Sequence, residues 1–305
     1  MRYAFIKTLT KLASKNQKIF LLTGDLGYTV FEDFATAFPK RFINMGVAES
    51  NMVGVAAGLS LEGFIPFVYS IATFATMRPY EQIRNDICLQ NLNVKIVGVG
   101  GGLGYGHAGP THHSQEDIAI MRVLPNITIV CPADPFEVEV ATEQAAKLKG
   151  PVYLRLGKAG EPKIHPKKPK LKLGKGIIMR DGSDVLLLAT GNQVINSLLV
   201  AEVLSKKGIA AKVINLHTIK PLDKELILDS VKKIKYVVTI EEHSVIGGLG
   251  SAVAEVLASE EGNTVLKRIG IADKFSKIVG DHEHLRNHHS LTPEKIKKIV
   301  LNLIK

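Results

Sequence analysis

Residues Met45 to Met52 read MGVAESNM, the end of a predicted strand and the start of a helix, with one acid, Glu49, among small residues that leave room for a ligand. On either side, short apolar runs at 18–23, 64–69, 93–99, 126–131 and 152–156 alternate with helical patterns at 49–62, 78–90, 115–123 and 134–148. Strands separated by helices in this rhythm predict a mainly parallel sheet with helices on both faces. The rhythm breaks at 158–175 (KAGEPKIHPKKPKLKLGK) and then resumes. Strands are predicted near 184–189, 210–215, 235–240 and 264–268, and helices near 193–207, 223–233, 248–259 and 293–303. The fold class is therefore α/β, with two three-layer domains at 1–160 and 176–305 joined by a basic linker at 161–175. The last helix has a clear start in Thr292 as N-cap, Pro293 at the first helical position and Glu294 favoured by the helix dipole.

The chain has 305 residues, 46% of them hydrophobic and 22% charged, which is ample apolar material for burial. No apolar run approaches the roughly 20 residues of a membrane helix. Met1 to Asn16 is an interrupted amphipathic pattern without the apolar core or cleavage site of a signal peptide, so a cytoplasmic location is expected. Cys88 and Cys131 lie in apolar elements at a spacing that suits no metal site, which predicts buried free thiols. The net charge of +10 invites a nucleic-acid reading, but seven lysines fall in the proline-interrupted run 158–175, without aromatics to stack on bases, and the chain has no tryptophan. A solvated linker is the expectation, with neither nucleic acid nor membrane as partner.

The octet 45–52 resembles the pyrimidine-binding segment of thiamine diphosphate enzymes of the transketolase family. Four further stretches follow that family's order and approximate spacing: FLLTGDLGYT (20–29), AGLSLEGFIPFVY (57–69), FATMRPYEQIR (74–84) and GPTHHSQEDIAIMRVLPNITIVC (109–131). In the second half, INLHTIKPLD (214–223), TIEEHSVIGGLGSAVAEVL (239–257) and the closing helix resemble the family's C-terminal domain. The resemblance covers nearly the whole chain. It implies a pyrimidine-binding domain followed by a C-terminal domain that packs beside it and helps dimerisation rather than chemistry.

Full-length relatives carry a preceding domain whose GDG motif and downstream asparagine hold a magnesium ion on the cofactor diphosphate. Here only Gly24-Asp25-Leu26 stands. The resemblance therefore implies the C-terminal subunit of a split transketolase. Such a subunit binds the pyrimidine end of thiamine diphosphate, while an N-terminal diphosphate-binding partner subunit binds Mg2+ or Ca2+. Self-association through the same chain would complete a heterotetramer. Val99 to Gly106 (VGGGLGYG) lacks the lysine and hydroxyl of a P-loop and is predicted to be a flexible active-site loop.

Within the resemblance, Glu49 hydrogen-bonds a ring nitrogen of the cofactor and promotes its imino form. Enclosure by Val47, Ala48 and Met52 is expected to raise the carboxyl pKa, so that it shares a proton with the ring; an acid stabilising a helix N-terminus is the structural alternative. An aromatic face suits a flat heterocycle, and Phe74 is the first candidate, with Tyr69 as the other and Met52 beside the ring. His112 sits in GPTHH, where the family uses a histidine against the substrate carbonyl or hydroxyl. His113 and His107 assist it or line the cleft. Lys158, in RLGKAGEP, stands where relatives have a phosphate-binding arginine, and lysine offers a point charge rather than a fork.

Two positions depart from the family pattern: Ala108 replaces an aspartate that senses a sugar hydroxyl, and Gly100 falls near a basic residue that binds substrate phosphate. A non-standard ketose, an unphosphorylated sugar or a nucleotide-linked sugar is the implied substrate. DHEHLRNHH (281–289) fits no usual zinc spacing and is expected to be a surface spacer, so no metal site is assigned. The implied activity is transfer of a two-carbon ketol unit from a ketose to an aldose. The alternatives are a β-type subunit of a 2-oxo acid-using thiamine enzyme, either a dehydrogenase or deoxyxylulose phosphate synthase-like, and a non-catalytic binding subunit.

Overall fold

The computed structural model describes residues 1–259 and 262–305. The first half runs α1 (Arg2–Ala13), β1 (Ile19–Thr23), α2 (Glu32–Ala37), β2 (Phe42–Asn44), α3 (Glu49–Leu61), β3 (Ile65–Ile71), α4 (Ala72–Met77), α5 (Tyr80–Gln82), β4 (Lys95–Val99), α6 (Asp117–Arg122), β5 (Thr128–Val130), α7 (Pro135–Lys147) and β6 (Val152–Leu156). A π-helical turn, Ile83–Cys88, continues α5, and a 3-10 turn, Gly106–Ala108, precedes α6. The second half runs β7 (Ile177–Arg180), β8 (Val185–Ala189), α8 (Gln193–Ser205), β9 (Ala211–Asn215), β10 (Thr218–Lys220), α9 (Lys224–Val231), β11 (Tyr236–Ser244), α10 (Leu249–Leu257), β12 (Val265–Ile271), α11 (His282–His288) and α12 (Pro293–Leu303).

Two sheets result, with strand orders β10-β5-β6-β4-β3-β1-β2 and β12-β11-β8-β9-β7. Their strands pair parallel except for β10 on β5 and β7 on β9. The central strands β4, β6 and β8 are buried at every position, as continuous apolar runs must be when helices cover both faces. No helix among the described residues is long and apolar enough to cross a membrane. Cys88 and Cys131 are both buried free thiols.

The halves are less separate than the sequence reading has them. β10 follows the linker yet adds an antiparallel edge to the first sheet, with Thr218 opposite Val130 and Lys220 opposite Ile129. One apolar cluster runs from Met52, Val68 and Ile96 through Ile118, Met121 and Ile129 to Leu186, Leu188, Ile214 and Leu216. The two domains share a core.

Three segments depart from expectation. The linker exposes its lysines but is not free of the fold, and Leu171 within it is buried. Asp134, which caps α7, also accepts from the amides of Ile164 and His165 at 3.0 and 3.1 Å. His165 Nε2 lies 2.6 Å from Glu137 Oε1, which also accepts from Asn215 Nδ2 at 2.6 Å, so the carboxylate pulls the His165 pKa up and ties the linker to both halves. Second, Thr292 does precede α12 at its N-cap position, but its side chain caps nothing, and Pro293 and Glu294 are left to start the helix. Third, 281–289 is not a loose spacer. Asp281 caps α11 by accepting from the His284 amide at 2.7 Å, and His282 and Arg286, one helical turn apart, both reach Glu242 at 2.7 Å.

Glu242 sits at the seam between the halves. Its carboxylate also accepts from the Leu103 amide at 2.8 Å, and its carbonyl accepts from Arg155 Nη2 at 3.1 Å. Burial alone would push this carboxyl up, but Arg286 and His282 outweigh it and hold it well below the usual carboxylate range. Beneath it, Asp117 accepts from Arg155 Nε at 2.7 Å and Tyr153 OH at 2.6 Å, and Arg155 offsets the burial of that acid too. Glu242→Ala leaves Arg286, 14% exposed, without its buried counter-charge. Loss of one partner from such a pair costs about 3–5 kcal/mol. Denaturant unfolding of the variant is expected to show that loss, and a change below about 1 kcal/mol would mean the seam does not depend on this carboxylate.

Candidate active site

Strand register builds the site. Thr23 of β1 pairs with Tyr69 of β3, so Gly24 and Ser70, the next residue of each chain, lie side by side at the carboxyl ends of the strands. Ligands of open parallel sheets bind at that end. α3 begins there with Glu49, whose helix N-terminus favours an acid. The residue is 3% exposed. Ser70 Oγ donates to Glu49 Oε1 at 3.2 Å, and Arg78 Nη1, just past α4, donates to Oε2 at 2.9 Å. A Cβ built on Gly24 would lie 3.5 Å from Glu49 Oε1 and 3.6 Å from both Gly46 O and Ser70 Oγ, inside the cradle around the carboxyl.

The apolar enclosure read from the octet is not formed. Val47 is 70% exposed and covers nothing, and Met52 is fully buried in the shared core rather than open to a ligand. In their place the carboxylate has a hydroxyl and a cation, Ser70 and Arg78, neither of which the sequence reading singled out. Arg78 was present in the quoted stretch 74–84, whereas Ser70 falls just after the stretch 57–69.

The two aromatic candidates separate cleanly. Tyr69 is buried, stacked on Phe5 with ring centroids 6.0 Å apart and set edge-on to Phe31 at 4.8 Å. Buried at 1% exposure against these two rings, Tyr69 offers no open face to a cofactor. Phe74, on α4, is only partly buried, and the Arg78 guanidinium carbon stands 4.1 Å from its ring centroid. The same ring meets His112 edge-on at 4.9 Å.

From His112 the row of side chains continues. Its centroid is 6.2 Å from that of Tyr105, and Lys158 Nζ stands 4.6 Å over the other ring. Thr111 Oγ1 lies 3.0 Å from His112 Nδ1. Partial burial lowers the His112 pKa, with His113 and the Arg78 charge acting in the same direction. Glu49, Arg78, Phe74, His112, Tyr105 and Lys158 thus form one continuous line of contacts.

The other two histidines part company. His113 turns inward at 2% exposure and donates from Nε2 to the Gly106 carbonyl at 3.2 Å, so it supports the loop and does not line a cleft. His107 is exposed on the 3-10 turn. Nor is the glycine-rich stretch 99–106 an open loop: Gly100 to Leu103 are buried, and Gly102 exchanges backbone hydrogen bonds with Ser114 at 3.0 and 2.8 Å. Gly102 has φ +69, and a Cβ there would fall 2.6 Å from the Glu242 carbonyl oxygen. Only glycine lets the loop approach the second domain so closely. Among the described residues, no group of three or more His, Cys, Asp and Glu could hold a metal ion.

A buried carboxylate, a partly buried aromatic ring and a glycine-floored cradle fit a flat heterocycle with hydrogen-bonding nitrogens. Residues 1–161 match the transketolase pyrimidine-binding domain, and residues 174–296 the transketolase C-terminal domain. A putative transketolase C-terminal section from Methanocaldococcus jannaschii is 42% identical, across 100% of this chain and 96% of its own. A 6-deoxy-6-sulfo-D-fructose transketolase subunit from Clostridium sp. (strain MSTE9) is 41% identical, across 97% of this chain and 92% of its own. Among solved structures, a split gene transketolase in an inactive beta4 tetramer superposes with a TM-score of 0.92 at 41% identity, covering 99% of this chain and 97% of that one.

The His112 environment gives a titration prediction. Its folded pKa lies below the ordinary 6.5, so the folded chain binds fewer protons there than the unfolded one, and this site's contribution to stability is lost as pH falls through the folded value. NMR of the imidazole carbons is expected to place the midpoint under 6.5; a midpoint above it would contradict this environment.

Proposed function

Because the chain belongs to the transketolase family and carries its pyrimidine-binding and C-terminal domains together, we propose that it works as the C-terminal subunit of a split transketolase, transferring a two-carbon ketol unit from a ketose to an aldose. The observation that carries this reading is the Glu49 carboxyl, 3% exposed at the strand ends and joined to the Phe74 face through Arg78. A separate N-terminal chain holds the diphosphate of thiamine diphosphate and its Mg2+ or Ca2+. The complete enzyme is a two-plus-two heterotetramer in which this chain also contacts a second copy of itself. A cytoplasmic location belongs to the same reading.

When bound, thiamine diphosphate supplies the electron sink that ketol transfer requires. Glu49 and Phe74 would hold the pyrimidine ring, Glu49 as the carboxyl that exchanges a proton with it, and Ser70 orients one of the Glu49 oxygens. His112, neutral near pH 7 because burial depresses it, donates to an oxygen of the sugar as negative charge develops there and then exchanges the proton. Lys158 and His107 meet the distal part of the sugar, Lys158 as a point charge suited to a terminal anion.

The substrate is a non-standard ketose. Ala108 and Gly100 remove two polar recognition groups from the family pattern, and the related Clostridium subunit is named for 6-deoxy-6-sulfo-D-fructose.

The test is reconstitution with an N-terminal partner chain, thiamine diphosphate and Mg2+. Turnover is expected with a ketose donor and not with pyruvate, and only when both chains are present; a 2-oxo acid donor would contradict the assignment. Glu49→Gln keeps shape and loses the proton, so turnover falls by about 10²–10⁴-fold while size-exclusion shows assembly intact. Near-normal turnover removes Glu49 from the mechanism. His112→Ala is expected to raise the barrier by about 2–4 kcal/mol in steady-state kinetics, and unchanged kinetics would exclude it from the oxyanion role.

A further inference from the structure

Arg78 satisfies at once the two surfaces that a pyrimidine ring needs. Its Nη1 lies 2.9 Å from Glu49 Oε2, and its guanidinium carbon lies 4.1 Å from the centroid of Phe74. A guanidinium is flat, hydrogen-bonds in its own plane and stacks on aromatic faces, so it can occupy the same two surfaces as an aminopyrimidine, although it only donates. The arginine backbone is held in place, since Ser50 Oγ donates to the Arg78 carbonyl at 3.1 Å. Its side chain, however, is 45% exposed against 2% for Glu49, so the head group can leave for water without dragging structure with it. Glu49 cannot follow.

We propose that Arg78 is a placeholder in the cofactor slot: in the empty chain its guanidinium pairs with Glu49 and covers Phe74, and it must leave both before the pyrimidine ring can enter. The inference rests on the reading above that this slot takes the pyrimidine of thiamine diphosphate. A buried carboxylate with only the Ser70 hydroxyl beside it would be costly, and the cation removes that cost while the slot waits. The same contact then competes with the ring, so the measured affinity is reduced by the stability of the closed arrangement. Departure of the guanidinium also takes a positive charge away from His112, whose pKa Arg78 helps to depress.

The direction of the effect on binding distinguishes a placeholder from a residue that holds the cofactor or merely supports the fold. In the reconstituted assembly, Arg78→Met is expected to bind thiamine diphosphate roughly 5-fold tighter by equilibrium dialysis, because only the empty state loses contacts. Its melting temperature is expected to fall in the cofactor-free chain and to recover in the loaded assembly. Unchanged or weaker binding, or an equal loss of melting temperature in both states, would overturn the proposal. Should Arg78→Met fail to fold, Arg78→Lys keeps the charge but loses the flat stacking face; tighter binding of a smaller degree supports the placeholder and unchanged binding overturns it. If the wild-type assembly binds no thiamine diphosphate, the functional reading itself fails and takes this inference with it; if it binds and the variants do not tighten, only the placeholder fails.

Discussion

A carboxylate at 3% exposure cannot be left alone, and the first domain is arranged around that constraint at Glu49. The pairing of β1 with β3 brings a glycine and a serine to either side of it, one giving space and the other a hydroxyl. Glu49 opens α3, where the helix N-terminus favours an acid, and the end of α4 brings the cation. Each of these elements is also a core element, so the slot is as rigid as the sheet below it. Rigid support of this kind is what a proton-sharing carboxyl requires, because the hydrogen bond to a ring tolerates little error in distance.

The second domain takes part in the site without touching it. Glu242 on β11 accepts from the Leu103 amide and, through Arg155 and Asp117, meets the segment that continues to Ser114. Gly102 and Ser114 bracket the stretch that carries His107 and His112. A C-terminal domain read as a dimerisation module is therefore also the wall that fixes the histidine segment. α11 helps to build that wall, with His282 and Arg286 holding the Glu242 charge.

Much of the fold was legible because buried parallel strands need unbroken apolar runs. The run at 152–156 corresponds to Val152–Leu156, that at 184–189 to Val185–Ala189, and the helix pattern at 134–148 to Pro135–Lys147. β10 and β7 escaped because three or four residues carry too little periodicity, and their place depends on which edge is free. α11 escaped because its apolar content is one leucine, Leu285; its fixing comes from a carboxylate some forty residues away in sequence. In the candidate site, Glu49, Phe74 and His112, singled out from motif and chemistry, lie along one line of contacts. Arg78 as the partner of Glu49 was not legible, since the two are 29 positions apart and only the fold of β3 and α4 brings them together. Tyr69 and Met52 are instead buried in two core clusters, because a residue beside a site in sequence can have its side chain in the core.

The most direct test of the central claim is the crystal structure of the assembled enzyme with thiamine diphosphate bound. The predicted result has a ring nitrogen within hydrogen-bond distance of a Glu49 carboxyl oxygen and the ring lying against Phe74. A Glu49 side chain turned out to solvent, with the heterocycle held elsewhere or by the partner chain alone, would contradict it.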